Sequence, residues 1–293
     1  MSDLDRWYQN NLAASKGTAN NYRYWLLRYC KDRCVTHQQL IEEALDIKVC
    51  EDRLHDWIIG LQNRGLAGKT INVALYAVKS WLGFNRIDIQ RKIKIKGAAS
   101  TPTVENEKIP TKEELQKILK CATLKTKVVA SLIAYSGLRP EIIANLKLGD
   151  LKLNERPIRI TVLPDVPGNK AKIRFFTFNN GGYLLEYLRD RAKKERLTAA
   201  TKLFDAQSHT LAALIRRAFK NASFKGRPYV LRSYFANACD SARIKHSAQQ
   251  FFMGHKGDIE MVYTLRKHLS PEKIEELRNE YRMVSTPASD FSL

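Results

Sequence analysis

The sequence predicts a mainly α-helical protein of two domains, the second carrying a small β-sheet. Three observations predict it. Segments along both parts of the chain repeat apolar residues at helical spacing, one polar stretch without periodicity interrupts them, and a single pair of segments rich in β-branched and aromatic residues brackets a Pro-Gly turn. At 293 residues, with 44% hydrophobic side chains, the chain is long for one core and comfortable for two.

The elements follow in order. "SKGTANNYRYWLLRYC" (15–30) begins with small polar residues and then sets Tyr22, Trp25, Leu26 and Tyr29 three or four apart, the period of a helix with one buried face. "LAGKTINVALYAVKSWLGF" (66–84) repeats this with Ile71, Leu75, Val78 and Leu82, and "DRLHDWIIGLQNRG" (52–65) completes a small helical domain, residues 1–95. The stretch that follows is polar, punctuated by Gly97, Pro102 and Pro110, and has no periodic apolar residue after Ile95; its 96–107 portion reads as a linker. The second domain, 108–293, opens at "PTKEEL", where Thr111 and Glu114 have the spacing of a capping box. A helix through "KVVASLIAYSG" stops at Gly137, and "LRPEIIANL" starts another with Pro140 in its first turn, leaving Arg139 at a helix entrance. "RPIRITVLP" (156–164) and "KIRFFTF" (172–178) form a hairpin around "DVPGNKA". The remainder is helical again, through "GYLLEYLRDRAKKERL", "HTLAALIRRAF", "LRSYFANACDSA" and "SPEKIEELRNEYRMV".

Fifty Lys and Arg against thirty Asp and Glu give a net charge of +20, and both parts of the chain are basic. Such a charge strains the folded state through self-repulsion unless a polyanion is the working partner. Double-stranded nucleic acid is the expected partner, with a membrane surface second. The longest apolar run, "VVASLIAY" (128–135), is far short of the roughly twenty residues that span a bilayer, and "MSDLDRWYQN" holds no signal-peptide core, so a cytoplasmic protein without a membrane partner is expected. The five cysteines (Cys30, Cys34, Cys50, Cys121, Cys239) are irregularly spaced and lack a metal-ligand pattern, which reads as reduced structural thiols. There is no Walker loop and no dinucleotide fingerprint, so no cofactor and no metal are expected.

Three segments stand out in order: "AYSGLRPEII" (134–143), "YVLRSYFANA" (229–238) and "FFMGHKGDIEMVYT" (251–264). They resemble the first arginine motif, the His-x-x-Arg motif and the Gly-His motif with its downstream tyrosine in the tyrosine recombinases of the phage-integrase kind. The Gly-His-Lys-Gly-Asp wording is most similar to archaeal members. The helical first domain resembles the family's core-binding domain and the second its catalytic domain, a DNA breaking-rejoining fold, together a clamp on DNA.

The resemblance implies a site-specific recombinase, an integrase or transposase of a mobile element, that cuts and rejoins DNA through a 3′-phosphotyrosyl intermediate. It assigns Tyr263 as nucleophile, Arg139 and Arg232 as the guanidiniums that bracket the phosphate, Lys172 as proton donor to the departing 5′ oxygen with Lys170 as alternative, and His255 as donor to a phosphate oxygen or relay for the tyrosine proton. It also implies a homo-tetramer on two DNA sites, assembled through the segment after Tyr263. The chemistry is coherent: a phosphotyrosyl bond conserves the phosphodiester energy, forked guanidiniums match developing charge on the phosphate, and histidine ordinarily titrates near neutrality, at about 6.5.

Two positions depart from the pattern. Tyr229 stands where the family usually has the histidine of His-x-x-Arg, and a phenol hydrogen-bonds phosphate without titrating near neutrality. The acid usually three places after the first arginine is Ile142 here, with Glu141 one place early. Each named residue also has a plain reading, as a surface charge, a helix-end hydrogen bonder or a core aromatic. Tyr281 and Tyr234 are expected to be packing residues. A catalytically silent DNA-binding protein of the same fold and a type IB topoisomerase-like enzyme are the alternatives.

Overall fold

Capping side chains start most helices of the amino-terminal unit, Met1–Asn106. In this computed structural model, which describes residues 1–99, 107–257 and 269–284, the unit comprises α1 (Asp3–Ala14), α2 (Lys16–Asp32), α3 (His37–Glu43), α4 (Ile47–Asn63) and α5 (Gly68–Phe84). Ser2 with Asp5 and Thr36 with Gln39 form capping boxes, while Ser15 and Asp46 cap α2 and α4. The sequence pattern anticipates α2, α4 and α5. It misses α1 and α3, which bury only Trp7 and Leu40 respectively, because one buried residue makes no period.

Aromatic residues build this core. Trp7 meets Trp81 edge to face at 5.6 Å and Tyr29 meets Trp57 at 4.8 Å. Each buried indole N–H finds an acceptor: Trp7 donates to Ser80 Oγ at 3.1 Å, Trp57 to Asp32 Oδ2 at 3.0 Å and Trp81 to the His37 carbonyl at 3.1 Å. The segment after α5 is tied to the same unit. Lys79 donates to the Ile89 carbonyl at 2.8 Å, the Arg91 amide to Glu51 at 2.8 Å, and Gly68 sits so close to the backbone of Lys96 and Gly97 that a Cβ would fall 2.2 Å from the Lys96 carbonyl. Most of the expected linker, 100–106, lies outside the described residues.

In the second unit, Glu107–Leu293, Thr111 and Glu114 form the anticipated capping box ahead of α6 (Lys112–Lys120). The helix α7 (Leu124–Ala134), buried continuously from Val128 to Ala134, runs through the core, and the chain turns at Gly137, φ +66°. There α8 (Pro140–Ile143) is one turn long, shorter than the sequence suggests. The hairpin is present as β2 (Ile158–Val162) and β3 (Phe175–Asn179), antiparallel with Ile160 opposite Thr177. A two-residue β1 (Leu151–Lys152), too short to read from sequence, adds a third strand in the order β1-β2-β3.

The expected second strand begins at Lys172; the observed one begins at Phe175. Lys172 has φ +55°, left-handed backbone that no strand accepts, so it belongs to the loop. Helices α9 (Gly182–Ala192), α10 (Ser208–Asn221), α11 (Val230–Ser241), α12 (His246–Phe252) and α13 (Pro271–Met283) complete the unit.

Helix α13 is seated on its own unit: Leu277 and Tyr281 are buried, Tyr281 Oη donates to the Tyr135 carbonyl at 2.8 Å and packs against Phe178 and Phe252, and Arg278 pairs with Glu155. Burial holds the Tyr281 phenol well above its ordinary pKa, as befits a core residue. Tyr234 meets Tyr135 edge to face at 6.3 Å. Among the described residues, no helix is long and apolar enough to cross a membrane.

Candidate active site

Arg139 is the residue before α8, delivered by a turn that only glycine permits. A Cβ on Gly137 would fall 2.5 Å from the Phe235 ring. The Arg139 side chain is partly buried, and its Nη1 has no hydrogen-bond partner among the described residues. Burial lowers its pKa from the ordinary arginine value, with the nearby Tyr229 opposing.

Arg232, in the first turn of α11, is 1% exposed. Its Nη1 donates to the Gly137 carbonyl at 2.6 Å, and its Nη2 to the Met253 carbonyl at 2.6 Å and to His255 Nε2 at 2.8 Å. It therefore ties the Arg139 turn to the Gly-His turn. Burial first, and the charge of Arg139 second, push its pKa down to about 10, with Tyr229 pulling the other way. Among the described residues neither guanidinium pairs with a carboxylate.

His255 follows α12 across Gly254, φ +61°, where a Cβ would fall 2.5 Å from the Phe175 ring. Because an arginine can only donate, His255 Nε2 is the acceptor and Nδ1 carries the proton, which it gives to Gln250 Oε1. Burial, then Arg232, Arg139 and His246, lower its pKa to about 4. The sequence reading had it titrating near neutrality. In this site it is a neutral imidazole whose Nε2 lone pair faces Arg232. Gln250 escaped the sequence reading, and the only signal was its position five residues earlier, across a glycine that reverses the chain.

Tyr229 stands just before α11 and is 47% exposed. It lies beside both arginines. Ile142, at the position where an acid was expected, is fully buried in the core, and Glu141 presents its side-chain stem to the β2–β3 loop. Lys172 and Lys170 are exposed on that loop, whose Gly168 packs against Glu141 and Ile142. Arg139, Arg232, His255 and Tyr229 thus converge, and the lysine loop lies against the helical turn that Arg139 enters. Tyr263 lies outside the described residues. Among those residues, no three His, Cys, Asp or Glu side chains cluster as a metal site.

No family model matches the chain. A curated relative, the tyrosine recombinase XerA of Saccharolobus solfataricus, is 27% identical over 259 residues, 83% of this chain and 81% of that protein. Among solved structures, the XerH site-specific recombinase in a post-cleavage complex with palindromic difH substrate aligns over 96% of this chain and 85% of its own, at 18% identity and TM-score 0.58. The Tn1549 transposon integrase in complex with transposon right-end DNA aligns over 95% and 99%, at 16% identity and TM-score 0.55. In sequence the chain resembles the archaeal tyrosine recombinases, and its fold is the tyrosine recombinase fold.

Proposed function

We propose that the chain is a site-specific DNA recombinase that cuts and rejoins strands through a 3′-phosphotyrosyl intermediate. The observation that supports this best is the pair of desolvated guanidiniums, Arg139 and Arg232, close enough for one to lower the pKa of the other and, among the described residues, paired with no carboxylate. Buried like charges repel, and the arrangement becomes favourable when an anion joins them; a scissile phosphate is such an anion. XerA, XerH and the Tn1549 integrase, named for the same chemistry, support the reading.

In this mechanism Tyr263 attacks phosphorus. A bound phosphate draws the Nη2 arm of Arg232 toward itself, which frees the Nε2 lone pair of His255 to accept the tyrosine proton. Arg139 and Arg232 hold the nonbridging oxygens, Tyr229 adds a neutral hydrogen bond, and Lys172, or Lys170 in its place, protonates the departing 5′ oxygen. The energy of the broken bond stays in the phosphotyrosine, so the chemistry asks for no nucleotide. The substrate is double-stranded DNA inside the cell. Exchange between two sites calls for four protomers, joined through the carboxy-terminal segment, in the manner of a mobile-element integrase or transposase.

The test is incubation with a nicked suicide substrate, which traps the covalent protein–DNA adduct. The adduct should form with the unaltered chain and vanish in Tyr263→Phe with DNA affinity retained. No adduct from the unaltered chain would make it a silent DNA binder, and adduct without recombinant joints would point to topoisomerase-like action.

A further inference from the structure

The loop joining β2 to β3 is a chain of tight turns. The Val166 amide donates to the Leu163 carbonyl at 3.3 Å, Asn169 to Val166 at 3.0 Å and Lys172 to Asn169 at 3.1 Å. Asn169 closes the loop from inside. It is 1% exposed, and its Nδ2 donates to the Leu163 carbonyl at 2.9 Å and to the Ile173 carbonyl at 2.7 Å, so one amide joins the two stems. Its Oδ1 is buried without a hydrogen-bond partner among the described residues, a cost that an apolar filler would avoid. The neighbouring Gly168, φ +89°, lies flat on α8: a Cβ there would fall 2.7 Å from Glu141 Cβ and 2.9 Å from the Ile142 amide. Glu141 is two residues from Arg139, so the loop that carries the lysines and the turn that carries the first arginine share one surface.

We infer that Asn169 and Gly168 are positioning residues, a clamp that holds the lysine loop in register with Arg139 so that the ammonium reaches the leaving oxygen. This rests on the recombinase reading above, with Lys172 or Lys170 as proton donor. As the tyrosine oxygen bonds to phosphorus and the P–O5′ bond breaks, the tyrosine proton passes to His255. The lysine ammonium gives one proton to the 5′ oxygen, leaving a 5′ hydroxyl and a neutral amine that recovers its proton from water. Proton delivery depends on the loop's placement to within about an ångström, where errors cost up to about a hundredfold in rate.

The test compares single-turnover cleavage of ordinary DNA with DNA carrying a 5′-thio leaving group, which departs without protonation. Asn169→Ala, and separately Gly168→Ala, which pushes the loop off Glu141 without touching the asparagine, should each cleave ordinary DNA about 10- to 100-fold more slowly. Both should come within about threefold of the unaltered chain on the thio substrate, as a Lys172→Ala control should. A role confined to stability would slow both substrates alike. If the unaltered chain cleaves, and the folded variants are equally slow on both substrates or unimpaired on both, the clamp is overturned while the recombinase reading stands. If the unaltered chain cleaves neither, the recombinase reading fails and takes the clamp with it.

Discussion

Arg232 donates one arm of its guanidinium to His255 Nε2 at 2.8 Å, and that contact decides the chemistry of both residues. It fixes the histidine as the tautomer protonated on Nδ1, with Gln250 receiving that proton's hydrogen bond. Burial first, and the permanent charge of Arg232 second, make the imidazole resist protonation.

The first prediction is a pH signature of folding. His255 has a pKa of about 4 in the folded protein and an ordinary value of about 6.5 unfolded. Between those values the unfolded chain binds more protons, so the histidine's contribution to stability is complete above about pH 6.5 and is lost as pH falls toward 4. Thermal melts of the unaltered chain and of His255→Gln should therefore keep a constant gap above pH 6.5. Below it, the unaltered chain should lose stability faster than the variant. Parallel curves down to pH 4 would show that the histidine is not held neutral.

The two arginines should respond differently to loss of their forks. Among the described residues the Arg139 Nη1 has no partner, so Arg139→Lys should change unfolding free energy by under about 1 kcal/mol. Adduct formation should nevertheless fall by about 10²- to 10³-fold. Arg232 holds the Gly137 and Met253 carbonyls together, and Arg232→Lys should cost at least about 2 kcal/mol in urea unfolding as well as the chemistry. Equal stability losses in the two variants would contradict this division.

Local signals carried much of the fold and little of the site's electrostatics. The capping box at Thr111 and Glu114, the stop at Gly137 and the start at Pro140 are written in neighbouring residues, and each appears where the sequence sets it. By contrast, α12 spans only His246–Phe252, too short for a periodic signal. Arg139, Arg232 and His255 are recognisable by resemblance, yet the depressed pKa of His255 arises from burial and from charges brought together by the fold. The strand start at Phe175 rather than Lys172 depends on the left-handed Lys172 and on Asn169 reaching across the loop, contacts with no local signature.

Tyr281 is the other tyrosine of the carboxy-terminal segment, and its burial argues against chemistry. Its hydroxyl donates to the Tyr135 carbonyl at 2.8 Å, and its ring lies 5.5 Å from that of Phe178. Tyr281→Phe should cost about 0.5–1.5 kcal/mol in unfolding free energy and leave covalent adduct formation intact. An adduct lost in this variant, with the melting curve unchanged, would make Tyr281 the nucleophile.

Tyr229 is the residue that departs most from the family pattern, and its exposure bears on what it contributes. Arg232 is held by two backbone carbonyls and His255, so its position does not depend on the Tyr229 hydroxyl. Tyr229 is half exposed at the helix entrance, where a neutral donor to phosphate gains about 0.5–1.5 kcal/mol, roughly three- to tenfold in rate. Tyr229→Phe should therefore be mild, and far milder than Arg139→Lys. Tyr229→His should keep activity, but its imidazole would sit beside the same two guanidiniums that lower the pKa of His255, so it should titrate below about 6.5 and add an acid limb that the unaltered chain lacks. Single-turnover cleavage from pH 5 to 8.5 separates the possibilities. A Tyr229→Phe defect as deep as that of Arg139→Lys would mean that the phenol carries an essential proton, because a single neutral hydrogen bond cannot account for a loss of two or more orders of magnitude.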